Sequence, residues 1–155
     1  MLVGVAVVVL ALDQLTKLIA VHLLSDHEPV EVLGGLLTLR IVRNSGAAFG
    51  LAGGATIEFT VVAAAVVIVI LRIARRLVSL PWALSLGLLL GGAAGNLGDR
   101  LFRGPAPLRG HVVDFLELPY WPVFNVADSA IVLAGITMVV YTLRGVAVDG
   151  TTSRG

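Results

Sequence analysis

"LVGVAVVVLALDQLTKLIAVHLL", residues 2–24, decides what kind of molecule this chain makes. A helix needs about 20 mostly apolar residues to cross the hydrocarbon of a bilayer, and this stretch meets that length. The competing reading is a cleaved signal peptide. No basic region precedes the stretch, Asp13 and Lys17 lie inside it, and "VHLLSDHEP" (21–29) offers no small-residue cleavage site. It reads as a retained first membrane span.

Working outward, three more stretches qualify as spans: about 57–73, 81–97 and 126–143. The whole composition agrees. Of 155 residues, 57% are hydrophobic and 14% charged, against about 25% charged in an ordinary soluble domain. Mean hydropathy is +0.98. A single integral-membrane domain over residues 1–155 is expected. The net charge of +1 gives neither a nucleic-acid footprint nor a polybasic tail. The absence of cysteine excludes disulfides, thiolate metal sites and Cys nucleophiles.

The second span ends in "RIARR" (72–76), and the third opens at Pro81, a good first helical residue. Gly87, Gly91 and Gly95 follow at the spacing that lets another helix backbone approach. Two connections are long. In residues 25–56, Leu37, Leu39 and Ile41 alternate with Thr38, Arg40 and Val42, which predicts one or two short strands at the membrane surface. In residues 98–125, Tyr120 and Trp121 suit the aromatic belt of an interface. The tail "VDGTTSRG" (148–155) reads as frayed. Arg72, Arg75 and Arg76 in one short loop make that loop cytoplasmic by the positive-inside rule, with both termini inside and both long connections outside. A raw count is a tie: Arg40, Arg43, Arg100, Arg103 and Arg109 fall on the outer side against Arg72, Arg75, Arg76, Arg144 and Arg154.

Charges within a bilayer are costly and invite a functional reading. Asp13 and Lys17 stand four apart on one helix face and can neutralise each other as a structural pair. Asn96, Asp99 and Arg100 close the third span in "GNLGDR" (95–100). Arg100 offers a planar fork of donors to a carbonyl or carboxylate, or snorkels to the headgroups as an anchor. Asn44, beside Ser and Gly, fits a ligand contact or ordinary turn chemistry. Asp128 taken alone fits a first-turn helix cap, and Asp114 taken alone fits a solvated loop acid.

Together the two acids permit something sharper. Like charges about 3 Å apart cannot both ionise, so two carboxylates brought close share one proton. The ionised member takes a proton from water while the neutral member polarises a carbonyl. That is peptide hydrolysis without metal, Ser or Cys. His22, His27 and His111 form no zinc-binding spacing. A rival reading is a small transport or ion- and proton-conducting module with a path through Asp13, Lys17, Asp99 and Asp128. It expects charges at several depths, whereas most polar residues here gather at one predicted interface. A third reading, an inactive scaffold using the glycine face, leaves the two acids without a role.

"DQLTK" (13–17), "RNSGAAFG" (43–50), "GGAAGNLGDR" (91–100), "VVDF" (112–115) and "FNVADSAI" (124–131) together resemble the lipoprotein signal peptidases, the bacterial signal peptidase II family. The five blocks run in that family's order across nearly the whole chain. The resemblance implies an all-α membrane protein of four transmembrane helices, with a small β-cradle and a long loop on the outer face. It implies an aspartyl endopeptidase of the bacterial cytoplasmic membrane, with no cofactor or metal. Such an enzyme cuts prolipoproteins on the N-terminal side of a diacylglyceryl-modified cysteine. The catalytic pair would be Asp114 and Asp128. Asn44, Asn96, Arg100 and Asn125 would position substrate or support the acids, and Asp13, Lys17 and Asp99 would be mainly structural. Implied partners are lipid-modified signal peptides, membrane lipids and globomycin-type cyclic peptides, with the enzyme working as a monomer. On this view the strand-like residues 36–43 guide an extended substrate by edge pairing.

Overall fold

The computed structural model describes residues 1–45, 56–104, 106 and 108–148. The chain runs α1 (Leu2–Leu24), β1 (Val30–Val32), a short 3-10 turn (Leu33–Gly35), β2 (Leu37–Asn44), α2 (Thr56–Ala74), α3 (Leu80–Phe102), β3 (Val112–Glu117) and α4 (Val126–Leu143). All four α-helices are long and apolar enough to cross a membrane. The expected spans stand to within a residue or two, except that α3 continues five residues past Leu97 to Phe102. Hydropathy stops at Leu97 because the last turns carry Asn96, Asp99 and Arg100. The helix goes on because Asp99 and Arg100 are buried and Asn96 half-buried, with Asp99 and Asn96 both partnered.

α3 stands at the centre. Between helices in lipid there is no hydrophobic drive, so close packing of small residues does the work. Gly87 lies against Leu2 and Val5 of α1, and Gly91 against Ala6 and Val9. A Cβ on Gly91 would sit 2.6 Å from that of Val9. These contacts climb both helices together, so α1 and α3 run parallel. Gly92 points to another face, where a Cβ would come 2.5 Å from the Ala127 carbonyl of α4. Ser85, fully buried, bonds Thr137 of α4 at 2.8 Å, so α3 and α4 run antiparallel. All three glycines come so near a backbone carbonyl of the neighbouring helix that any larger residue would collide with it.

α2 packs on α3 from another side. Its Ile70 joins Leu2, Ala83, Leu86 and Leu90 in the buried cluster at the far end of the bundle, and Thr60 bonds the Leu108 carbonyl at 3.2 Å near the other end. At the far end Trp82 donates to the Val146 carbonyl (2.8 Å) and the Ser79 amide to Val148 (3.2 Å). Val148, expected to fray, is therefore tied to the start of α3; residues 149–155 lie outside the described residues.

The opposite end carries a three-stranded antiparallel sheet in the order β1-β2-β3. β1 pairs Val30–Val32 with Leu39–Leu37. β2 pairs Leu39 with Leu116 and Val42 with Asp114, so Arg40 and Ile41 together stand opposite Phe115 in a bulge. The simple alternation expected over 37–42 breaks there, because an extra residue reverses which face follows. Beyond the bulge Val42 and Asn44 share a face with Val112 and Asp114.

Candidate active site

The two acids, fourteen positions apart, meet because the chain turns back on itself between them. After β3 it turns at Leu118–Trp121, with Tyr120 at a left-handed φ of 64°. Phe124 then pairs with Leu116: the Phe124 amide donates to the Leu116 carbonyl (2.8 Å), and the Phe124 carbonyl accepts from Phe115 (3.0 Å) and Leu116 (2.9 Å). This clasp delivers Asn125, the N-cap of α4, alongside Asp114.

Asn125 bridges the pair. Its Nδ2 donates to Asp114 Oδ1 at 2.6 Å, while its backbone N–H donates to Asp128 Oδ2 at 3.2 Å. Its Oδ1 accepts from the Asp128 amide at 2.9 Å, closing a reciprocal capping box. Asp128 is thus a helix cap, as the modest reading of it held, and also a neighbour of Asp114. Asp114 is no solvated loop acid. It lies on β3 and is only 1% exposed. Its Oδ2 accepts from Asn44 Nδ2 at 3.0 Å, the diagonal contact that the bulge in β2 makes possible. Residues 46–50 of the "RNSGAAFG" block lie outside the described residues.

Asn96 reaches the same spot from α3, with Nδ2 donating to Asp128 Oδ1 at 2.8 Å. Its Oδ1 accepts from Asn125 Nδ2 (3.2 Å) and Lys17 Nζ (3.0 Å). Lys17, fully buried, also touches Asp13 Oδ2 and Asp99 Oδ2, each at 2.8 Å. Asp13 Oδ1 in turn accepts from the Ala127 amide at 3.0 Å, a second anionic cap on α4. Gly95 makes room for it, since a Cβ there would lie 2.5 Å from Asp13 Oδ2. Asp99 is fixed by Arg103 Nε (2.7 Å) and by the Val113 amide of β3 (3.2 Å). Two carboxylates and two cations make this ionic network neutral, the condition under which buried charge is tolerable.

Arg100 is 8% exposed and lies over the Phe59 ring of α2, 5.7 Å from its centroid. It feels the charges of Asp114, Asp128 and Asp99. Its Nη1 is buried and has no hydrogen-bond partner among the described residues.

Burial pushes the Asp114 carboxyl up to about 6, and the nearby Asp128 charge adds to the rise; the bonds from Asn44 and Asn125 and the charge of Lys17 act the other way. A cleft of about 250 Å³, lined by Trp121, Phe124, Asp128, Ser129, Val132 and Leu133, opens beside Asp128 and runs down the outer face of α4.

All nine residues singled out in the sequence converge at this end. Sequence reasoning missed Gln14, whose Nε2 lies within bonding distance of Asp13, Asp99 and the Gly95 carbonyl (3.1–3.2 Å). It also missed Arg103 and Phe59. Arg103 stands four residues after Asp99, so helical spacing alone signals it, whereas Gln14 meets Asp99 and Gly95 across two helices, which no local spacing marks.

Fold and site define a class: a small multi-pass helical membrane protein with two bridged carboxylates at one end of its bundle, the equipment of an aspartyl hydrolase. Comparison with known proteins then supplies the family. Residues 5–144 match the model of Signal peptidase (SPase) II, and the chain belongs to that family. It is 55% identical over 145 residues to the lipoprotein signal peptidase of Mycobacterium bovis, covering 94% of this chain and 72% of that one. To the Streptomyces coelicolor protein of the same name it is 53% identical over 148 residues, covering 96% and 72%. A solved structure, a bacterial membrane enzyme determined in meso at 1.9 Å, superposes with a TM-score of 0.80 at 29% identity, covering 92% of each chain.

Proposed function

We propose that this chain is a membrane aspartyl endopeptidase that removes signal peptides from prolipoproteins, cutting on the N-terminal side of a diacylglyceryl-modified cysteine. Membership of the signal peptidase II family supports the reaction. One observation carries the assignment of the acids: Asp114 and Asp128 are both hydrogen-bonded to the single residue Asn125.

The dyad holds one proton. Two acids sharing one proton and facing Arg100 form a neutral group, the least costly arrangement in a buried site. The ionised acid takes a proton from a bound water, and that water attacks the scissile carbonyl. The protonated acid gives its proton to the carbonyl oxygen. The acid that took the water's proton then passes it to the leaving nitrogen as the C–N bond breaks, and the first acid regains its proton from the diol hydroxyl as the carboxyl product forms. Asn44 and Asn125 hold Asp114, and Asn96 holds Asp128. The open Nη1 of Arg100 is a donor waiting for an acceptor, which a substrate carbonyl supplies; leaving it unmet is costly.

The substrate arrives from lipid, and the cleft beside Asp128 gives it a sideways entrance at the depth of the acids. β2 is the middle strand and its edge at 37–39 is taken by β1, so among the described residues only 40–43 keep an edge to guide the segment near the scissile bond, which must leave its helix to be cut. The enzyme resides in the bacterial cytoplasmic membrane with the sheet outside and both termini inside. Arg72, Arg75 and Arg76 crowd a single short loop, where the positive-inside rule weighs most, and that density sets the orientation. Globomycin-type cyclic peptides block the monomeric enzyme on this reading, and EDTA leaves it active.

The test is incubation of the purified protein with a diacylglyceryl-modified prolipoprotein. Wild type cleaves it, whereas Asp114→Asn and Asp128→Asn each lose processing while remaining folded in detergent. Near-normal turnover by either variant overturns the assignment of the acids.

A further inference from the structure

We propose that Lys17 is a positioning residue: its ammonium sets the orientation of the Asn96 and Asn125 amides, so that each acid of the dyad faces an N–H. This rests on the peptidase reading above and goes beyond a structural role for Lys17.

The argument begins with valence. An ammonium has three donors and no acceptor, and Lys17 has three partners: Asp13 Oδ2, Asp99 Oδ2 and Asn96 Oδ1. The atom of Asn96 that meets it must therefore be the oxygen. That choice turns Asn96 Nδ2 toward Asp128 Oδ1, 2.8 Å away. The same oxygen accepts from Asn125 Nδ2 at 3.2 Å, so Asn125 also presents its nitrogen on this side. Its nitrogen then reaches Asp114 Oδ1 at 2.6 Å, and its oxygen takes the Asp128 amide at 2.9 Å.

The reverse arrangement fails at both ends. A flipped Asn96 would set an NH₂ against an ammonium and a carbonyl oxygen against a carboxylate. One cation on α1 thereby fixes hydrogen-bond polarity at Asn96 on α3, and through that oxygen supports the orientation of Asn125, which the Asp128 amide and the Val113 carbonyl (3.3 Å) hold as well. Lys17 itself never meets the scissile bond.

The distinguishing variant is Lys17→Gln, whose side chain presents either an oxygen or a nitrogen to Asn96. Its kcat is expected to fall about 10- to 100-fold, the scale of one charge-assisted hydrogen bond, with KM unchanged. Lys17→Arg restores a donor-only group and is expected to recover most of the kcat. Arg103→Met is the comparison for stability alone. It breaks the same ionic network at Asp99 but has no contact with Asn96. It is expected to lower the thermal midpoint while losing far less kcat than Lys17→Gln.

A folded Lys17→Gln enzyme with kcat within twofold of wild type overturns the proposal, as does an equal kcat loss in Arg103→Met. If Lys17→Gln does not fold, isotope-edited distances in the wild-type protein decide. Asn96 Nδ2 must lie nearer to Asp128 Cγ than to Lys17 Nζ, and the opposite order overturns the proposal. Wild-type protein that leaves a diacylglyceryl prolipoprotein uncut would instead refute the peptidase reading, and the distance measurement would still test the amide orientation.

Discussion

In the proposed reaction, Asp114 ties catalysis to pH. Its folded carboxyl holds a proton up to about 6, against 3.8 for the ordinary group. Below 3.8 folded and unfolded chains both keep the proton. Between 3.8 and about 6 the unfolded chain releases it first, so the unfolded state binds fewer protons and stability falls as pH rises. The thermal midpoint of wild type is expected to decline across that window, and Asp114→Asn to lack this slope. For catalysis the dyad titrates as a pair, and losing its one proton gives kcat/KM an alkaline limb. Asn44 donates to Asp114 and favours the ionised form. Asn44→Ala is therefore expected to move that limb to higher pH, measured as kcat/KM from pH 5 to 9; no movement, or movement downward, contradicts the role given to Asn44. At this scale the sequence was informative about identity but not about partnership. Asp13 and Lys17 were legible as an ion pair from their spacing. That Asp99 joins them, and that Asn125 serves both acids, depends on contacts between elements that no local pattern encodes.

Among the elements, α3 bears the tightest constraints, and they differ by face. Gly92 meets the backbone of α4, whereas among the described residues Gly98 has nothing within 4 Å of where a Cβ would stand. Gly92→Leu forces the helices apart, a steric insertion of the kind that costs about 1–3 kcal/mol or more. It is expected to lower the thermal midpoint sharply or prevent folding. Gly98→Ala fills open space and gains roughly 0.5–1 kcal/mol of helix propensity, so its midpoint should hold or rise. Equal behaviour of the two variants in detergent melts would refute this reading of α3. The helices themselves were legible because twenty apolar residues in a row have few other uses. The end of α3 was not, since its polar last turns resemble a loop until their buried partners are known. The bulge in β2 was equally hidden: alternation is a property of one strand, and register belongs to two.

For the molecule as a whole, orientation is the most direct expectation to check, and a chain without cysteine suits the experiment. Leu36→Cys, at an exposed site beside the sheet, is expected to react with a membrane-impermeant maleimide on intact cells. Val78→Cys, exposed at the far end between α2 and α3, is expected to react only after permeabilisation. The reverse pattern would invert the topology. Composition made the four-span architecture plain, and five short blocks made the family plain. Which helix stands in the middle was written only as three glycines at fourfold spacing, a signal that names no neighbour.

The clasp between Leu116 and Phe124 also separates two properties that chain connectivity would otherwise couple. Because backbone bonds at its base set the spacing of the acids, the excursion at Pro119 and Tyr120 can lengthen, shorten or carry an inserted tag without altering that spacing, so long as Trp121 keeps its place on the cleft. The tip is thus the part of the outer surface free to diverge, and a natural place to attach a reporter to a working enzyme.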